Sequence, residues 1–317
     1  MVNNSNFRIV AYGEILWDIL PDGPVLGGAL FNFTNRVNEL GNEGILISKL
    51  GADNFGKDAL EGMKKLHLDT SYIQRDLDHP TGTVKVTLDE NHNPDYEIIK
   101  DVAYDFITTE NRQKVLVSEA DCLCFGSLIQ RQKSSRDTLY QLIESFNGRY
   151  IFYDINLRKD CYTDQIIQRS LQHANILKLN KDELVFLNEN FQMNKVDLSS
   201  MASGIRDRFD LKYCVVTLGD EGVFVVSDRD EKVYMPSFQV EVIEPIGAGD
   251  AFTAAFAHSL LNNQPLEECC KFGNLIGAIV AGQRGATQAI TPAMIDRFKS
   301  NISFGKINRE LVDYQPS

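Results

Sequence analysis

Ile246-Gly247-Ala248-Gly249-Asp250-Ala251-Phe252 is the stretch on which the reading of this chain turns. Ahead of it, Phe238 to Val242 alternates apolar and polar residues and predicts a strand. Pro245 breaks that run, and two glycines around one alanine follow. Asp250 then opens an almost wholly apolar segment, predicted as a helix to Leu261. A glycine turn feeding a helix leaves several backbone N–H groups unpaired and aimed at one point, where the helix dipole also favours negative charge. Asp250 is itself an anion, so it competes with any bound anion unless it has another task. Accepting a proton beside a pocket that stabilises charge on a transferred group is one such task. Capping the helix after a glycine loop is the other.

Composition narrows the choice. The chain has 317 residues, 43% of them apolar and 24% charged, which suits a globular enzyme able to bury a substantial core. A net charge of -12 argues against a nucleic-acid surface or a polybasic membrane patch. It leaves room for a nucleotide, which local amides and a few cations can hold. The six cysteines show no metal-site spacing, and no apolar run reaches membrane-spanning length. Free buried thiols and a polar N-terminus predict a cytoplasmic protein.

The run Gly-Ala-Gly-Asp-Ala-Phe (247–252) before an apolar helix resembles the C-terminal signature of the PfkB (ribokinase-like) family of carbohydrate kinases. The resemblance implies that Asp250 takes the proton from a sugar hydroxyl. It also implies that the amides of Gly247, Ala248 and Gly249, through to Asp250, form an anion hole for the phosphoryl group. Nearer the N-terminus, Gly27-Gly28-Ala29 precedes Leu30 to Leu40, whose apolar residues Phe33, Val37 and Leu40 have helical spacing closed by Gly41. A plain loop-helix junction explains this. The pattern also resembles the family's N-terminal signature, which would make Gly27, Gly28, Asn32 and the upstream Asp18 the holders of the sugar hydroxyls.

Other stretches fall into order. Gly51 to Asp58 nearly matches a P-loop but has Asp58 where a magnesium-binding hydroxyl is needed, so it is read as structural. Thr81 to Ile99 predicts a β-hairpin turning at Asn91-His92-Asn93-Pro94. In the family such strands form a lid that excludes water. Phe125-Gly126-Ser127-Leu128, Thr81-Gly82-Thr83 and Asp154-Ile155-Asn156-Leu157-Arg158 resemble the fructokinase-like subgroup, which puts Arg158 and Asn156 near the phosphates or sugar. Asn180-Lys181-Asp182-Glu183 fits both an ordinary capping box and the family's Asn-x-x-Glu motif, with Glu183 helping to position magnesium. By family position Thr217, Gly219, Gly222 and Asn274 contact the nucleotide. Glu244-Pro245 stands where many members have Asp-Thr beside a monovalent-cation site, which argues against potassium activation.

The expectation is an α/β, ribokinase-like three-layer α/β/α fold: one domain over 1–317, with a mainly parallel central sheet and a small β-sheet lid from segments near 12–30 and 80–106. The implied activity is ATP- and Mg2+-dependent phosphorylation of a monosaccharide hydroxyl, fructose first. A 2-keto-3-deoxygluconate kinase is the rival, and a non-catalytic sugar-binding regulatory relative is the alternative of another class. The implied partners are a small-molecule sugar, ATP and a second copy docked through the lid.

Overall fold

The computed structural model describes residues 6–88, 94–300 and 303–316. Its strands are β1 Arg8–Tyr12, β2 Leu16–Leu20, β3 Gly23–Gly27, β4 Glu43–Gly51, β5 Ile73–Asp76, β6 Gly82–Leu88, β7 Pro94–Ile98, β8 Cys122–Gly126, β9 Tyr150–Asp154, β10 Ile176–Asn180, β11 Tyr213–Thr217, β12 Val223–Ser227 and β13 Lys232–Met235. Its helices are α1 Ala29–Glu39, α2 Asn54–Lys65, α3 Asn111–Ser118, α4 Lys133–Ile143, α5 Asp164–His173, α6 Lys181–Asn190, α7 Leu198–Phe209, α8 Ala248–Leu261, α9 Leu266–Ala281 and α10 Pro292–Ser300.

Nine strands form the central sheet in the order β13-β12-β11-β10-β9-β8-β1-β4-β5. From β11 to β5 every pairing is parallel; β12 and β13 add an antiparallel edge. Alternate residues of each strand point to opposite faces, so the sheet divides two apolar layers. Val10, Tyr12, Leu123 and Phe125 pack with Leu139, Leu171, Leu187 and Ile205 of α4 to α7. Ile9, Ala11, Cys122 and Cys124 pack with Phe33, Met63, Phe256 and Cys270 of α1, α2, α8 and α9. Each fully buried large side chain contributes about 1.5–3 kcal/mol. The six cysteines are buried and free.

A second sheet, β3-β2-β6-β7, stands apart. β2 pairs antiparallel with β3 and parallel with β6, and β6 pairs antiparallel with β7. These strands fall inside the two segments expected for a lid. Residues 91–93 of the anticipated turn lie outside the described residues.

Two local expectations need correction. Phe238 to Val242 is not a strand: only Phe238 makes a single bridge, to Phe304. The ladder partners are instead Ser303 O for Gln239 N and Ala281 O for Ile243 N, from a loop and a helix end, so no sheet can extend along it. The helix predicted to open at Asp250 begins two residues earlier, because Gly247, at φ +81°, turns the chain into it. A side-chain carbon at Gly247 would meet Ala286 Cβ at 2.3 Å, so both the conformation and the space require glycine.

Candidate active site

Open parallel sheets bind ligands beyond the carboxyl ends of their strands. Here the ends of β1, β9 and β10 face the N-termini of α1 and α8 across a cavity of about 1050 Å³. Glu14, Asp18, Gly28, Asn32, Asn156, Arg158, Lys178, Gly247, Gly249 and Asp250 are among its walls, joined by Val84 and Glu97 of the small sheet and by Ile99 and Lys100 just after it.

At its centre the two glycine corners meet. Asn32 Nδ2, in the first turn of α1, donates to Asp250 Oδ2 at 2.9 Å. The corner before α1 is held by Gly28, at φ +117°, where a side chain would strike the Glu14 carbonyl at 2.6 Å. Glu14 Oε1 in turn accepts the Ala29 amide at 2.9 Å. The other oxygen of Glu14 is buried without a partner among the described residues, and burial raises its pKa.

Asp250 lies in the first turn of α8. Burial and the nearby Asp154 carboxylate push its pKa up to about 7, against the pull of Asn32 and Lys178. A carboxyl that titrates near neutrality in a cleft is suited to taking a proton. Asp18, on β2, is likewise raised by burial to about 6, with Arg158 opposing.

The glycine turn presents fewer amides than the sequence suggested. Ala248 N donates to Pro245 O at 3.2 Å, which takes it out of any anion hole. Among the described residues no backbone partner meets Gly249 N or Asp250 N, as expected in the first turn of a helix.

The remaining candidates divide. Asn156, at φ +38°, and Arg158 line the cavity after β9. Gly27 backs Asp18 rather than lining the cavity: a carbon added there would be 2.8 Å from Asp18 Oδ2. Asn180 and Glu183 form a reciprocal capping box at α6. Glu183 Oε2 accepts Asn180 N and Oε1 accepts Leu157 N, both at 2.8 Å. Both oxygens are thereby committed to amides. Glu183 thus fixes the loop that carries Asn156 and Arg158. Among the described residues no cluster of three or more His, Cys, Asp or Glu is arranged to hold a metal ion.

Thr217, whose hydroxyl donates to Leu179 O at 3.3 Å, ends β11 next to Asn180. Gly219 and Gly222 form the tight connection to β12, both at positive φ. None of these three reaches the cavity walls. Asn274 is buried under β13 and donates to Met235 O (2.8 Å) and Pro236 O (3.0 Å), so its amide nitrogen ties α9 to the sheet edge.

Glu14 and Lys178 of the walls, and Asp154, which binds Lys178, are site residues that the sequence motifs did not single out. Lys178 Nζ donates to both oxygens of Asp154 at 3.1 Å in the buried floor of the site. The available signal was a lysine inside the apolar run Ile176-Leu177-Lys178-Leu179.

Comparison with known proteins identifies the family. The pattern described as pfkB family carbohydrate kinase matches residues 24–294. A sugar kinase of Pyrococcus horikoshii is 32% identical over 299 residues, 88% of this chain and 91% of its own. The crystal structure of that protein, described as an uncharacterized sugar kinase, superposes with a TM-score of 0.77 over 92% of this chain and 97% of its own. It has also been solved in complex with ATP. The fructokinase of Salmonella typhimurium is 27% identical over 304 residues, 90% of this chain and 96% of its own. A ribokinase of Thermotoga maritima is 22% identical but matches with a TM-score of 0.73 over 93% of this chain and all of its own, a likeness of fold. This chain belongs to the pfkB family of carbohydrate kinases and has the ribokinase-like fold.

Proposed function

We propose that the protein transfers the terminal phosphoryl group of ATP to a hydroxyl of a neutral monosaccharide, fructose first among candidates. The observation that carries this reading is the 2.9 Å bond between Asn32 and Asp250, which brings the sugar-side corner and the base into one cavity. Asp18 and Asn156 on the same walls would accept and donate to sugar hydroxyls. ATP is the donor by analogy with the Pyrococcus relative, and it supplies an activated phosphoryl group.

The protein's part is positioning and electrostatics, as phosphoryl transfer generally demands. Asp250 takes the hydroxyl proton as that oxygen bonds to the terminal phosphorus and the bond to the leaving oxygen breaks. The free amides of Gly249 and Asp250, at the positive end of α8, face the charge on the transferred group. Arg158 offsets more of that charge from the opposite wall. Magnesium would arrive with the nucleotide rather than on a carboxylate cage of this chain. The small sheet would keep water out, since water is always the more abundant acceptor. A second copy in a homodimer would dock through this sheet, on whose edge strand β3 Val25 is 43% exposed.

Preference for fructose rests on the fructokinase-like runs and on the Salmonella relative. A second reading has its own support: Arg158, Lys159 and Lys100 line the cavity, with Glu97 and Asp160 beside them, and could pair with an acid sugar such as 2-keto-3-deoxygluconate. ATP consumption measured with fructose, ribose, nucleosides and 2-keto-3-deoxygluconate separates these. Fructose is expected to give the largest kcat/KM; the acid sugar in first place would replace it. Silence with every sugar would favour a non-catalytic sugar-binding relative.

A further inference from the structure

Lys178 is a cation in the floor of the site whose contacts the transfer chemistry leaves unexplained. It stands opposite Asp154 in the parallel register of β10 and β9, and its ammonium reaches both Asp154 oxygens. Thr253 Oγ1 holds Asp154 from α8, lying 3.1 Å from Asp154 Oδ2 and 2.9 Å from the Gly249 carbonyl. A carbon added at Gly249 would sit 3.3 Å from Lys178 Nζ. The ion pair is therefore pressed against the residue that precedes Asp250.

Asp250 is surrounded by charge of both signs. Glu14 faces it from the β1–β2 connection, Asp154 from β9 and Lys178 from β10, while Asn32 donates to it from α1. The Cys124 thiol lies in its field from β8, Glu183 of α6 faces Lys178, and α9 offers Gly277 against the Ala248 carbonyl. Burial opposes the ammonium of Lys178, but Asp154 and Asp250 outweigh it and hold it charged above its ordinary range.

Resting on Asp250 as the base, we propose that Lys178 is a positioning residue for proton transfer: clamped by Asp154 beneath the glycine turn, its ammonium keeps the Asp250 carboxylate ionised. Asp154 has two opposed effects. It fixes the ammonium, and its own charge repels Asp250. The pair balances the base between staying charged for the next turnover and being basic enough to accept a proton. Replacing either partner should move Asp250, and in opposite directions. Without Lys178 two carboxylates face Asp250 uncompensated. Without the Asp154 charge a repulsion vanishes and the ammonium is free to turn toward Asp250.

The test reads the carboxyl itself. Protein carrying 13C at the aspartate carboxyl carbon is titrated by NMR without ligands, and the Asp250 signal is the one missing from D250N. K178M should raise its midpoint by about one pH unit or more, D154N should lower it, and K178R should restore it toward the wild-type position. With the best sugar of the panel, the acid limb of kcat in K178M should follow the midpoint while KM for ATP changes little. A midpoint unmoved in K178M, or moved the same way in K178M and D154N, overturns the inference. Should K178M fail to fold, D154N decides alone: a midpoint at or above the wild-type value sinks it. Turnover retained by D250N would instead remove the base assignment, whatever the midpoints do.

Discussion

Two glycine-containing turns in this molecule deliver an aspartate to the start of a helix, and they have opposite chemistry. At Gly51-Ala52-Asp53, Asp53 is the N-cap of α2 and is saturated with donors: Gly56 N at 2.8 Å, Thr81 N at 2.8 Å and Thr81 Oγ1 at 2.7 Å. Burial works against its charge, but the Thr81 and Gly56 bonds win and hold its pKa below the usual carboxylate range. At Gly247-Ala248-Gly249-Asp250 the aspartate sits one turn further in, receives Asn32 Nδ2, and faces the carboxylates of Asp154 and Glu14. Its pKa goes up, to about 7. A carboxylate whose lone pairs are filled by amides has no reason to take a proton; one short of donors and beside like charge does. Local sequence is nearly the same in both turns. The environment decides which is a cap and which is a base.

The sharpest way to break this comparison is to neutralise each aspartate in turn. D250N should lower kcat by about 10³-fold or more, as loss of a general base does, with ATP affinity within a few-fold of wild type by calorimetry. D53N should leave kcat within a few-fold. Equal losses in the two variants would erase the distinction.

A smaller effect is expected at Gly247. G247A forces a side chain into a left-handed position and against Ala286, which displaces the free amides. A kcat loss of about 10²-fold is expected, comparable to removing one oxyanion donor. A full-rate G247A would show that the turn does not hold the transferred group.

Asp18 sharpens the sugar side. D18N removes a charged acceptor worth about 1.5–3 kcal/mol in a buried hydrogen bond, so KM for the sugar should rise about tenfold or more with kcat less changed. A fall in kcat at constant KM would move Asp18 from binding to chemistry.

Stability gives the smallest signal and the clearest sign. Asp250 holds its proton more tightly folded than unfolded, so its favourable contribution is present below its unfolded value and is lost as pH rises through about 7. D250N should therefore melt higher than wild type at pH 8, by about 2–4 °C per kcal/mol, with the gain shrinking toward pH 5. Asp53 behaves in reverse, its contribution being lost as pH falls. D53N should melt lower at neutral pH: an amide NH2 replaces the oxygen that accepts Thr81 N, leaving that donor unpaired at about 1–3 kcal/mol. Thermal melts at both pH values check the two signs.

Much of this was legible in the chain. The edges of β9 and β12 and the body of α8 follow from apolar runs bounded by turn residues, and the two glycine signatures pointed to residues that prove to be hydrogen-bonded across a separation of 218 positions. What was hidden depends on sheet order. Lys178 and Asp154 become partners only because β9 and β10 lie side by side in parallel register, which no local pattern states. Asn274 is expected by family position to contact the nucleotide; in the fold its amide nitrogen donates to two backbone carbonyls at the end of β13. Phe238 to Val242 has strand periodicity but meets a loop and a helix end, and periodicity without a neighbour makes no sheet.

The transfer chemistry turns on Asp250 being a base whose surroundings hold its ionisation near neutrality. The pH dependence of kcat/KM for the best sugar, measured from about pH 5 to 9 with saturating ATP, tests this most directly. An acid limb falling tenfold per pH unit with a midpoint near 7 is the result expected. A flat profile across that range, or a limb in the ordinary aspartate range near 4, would contradict it.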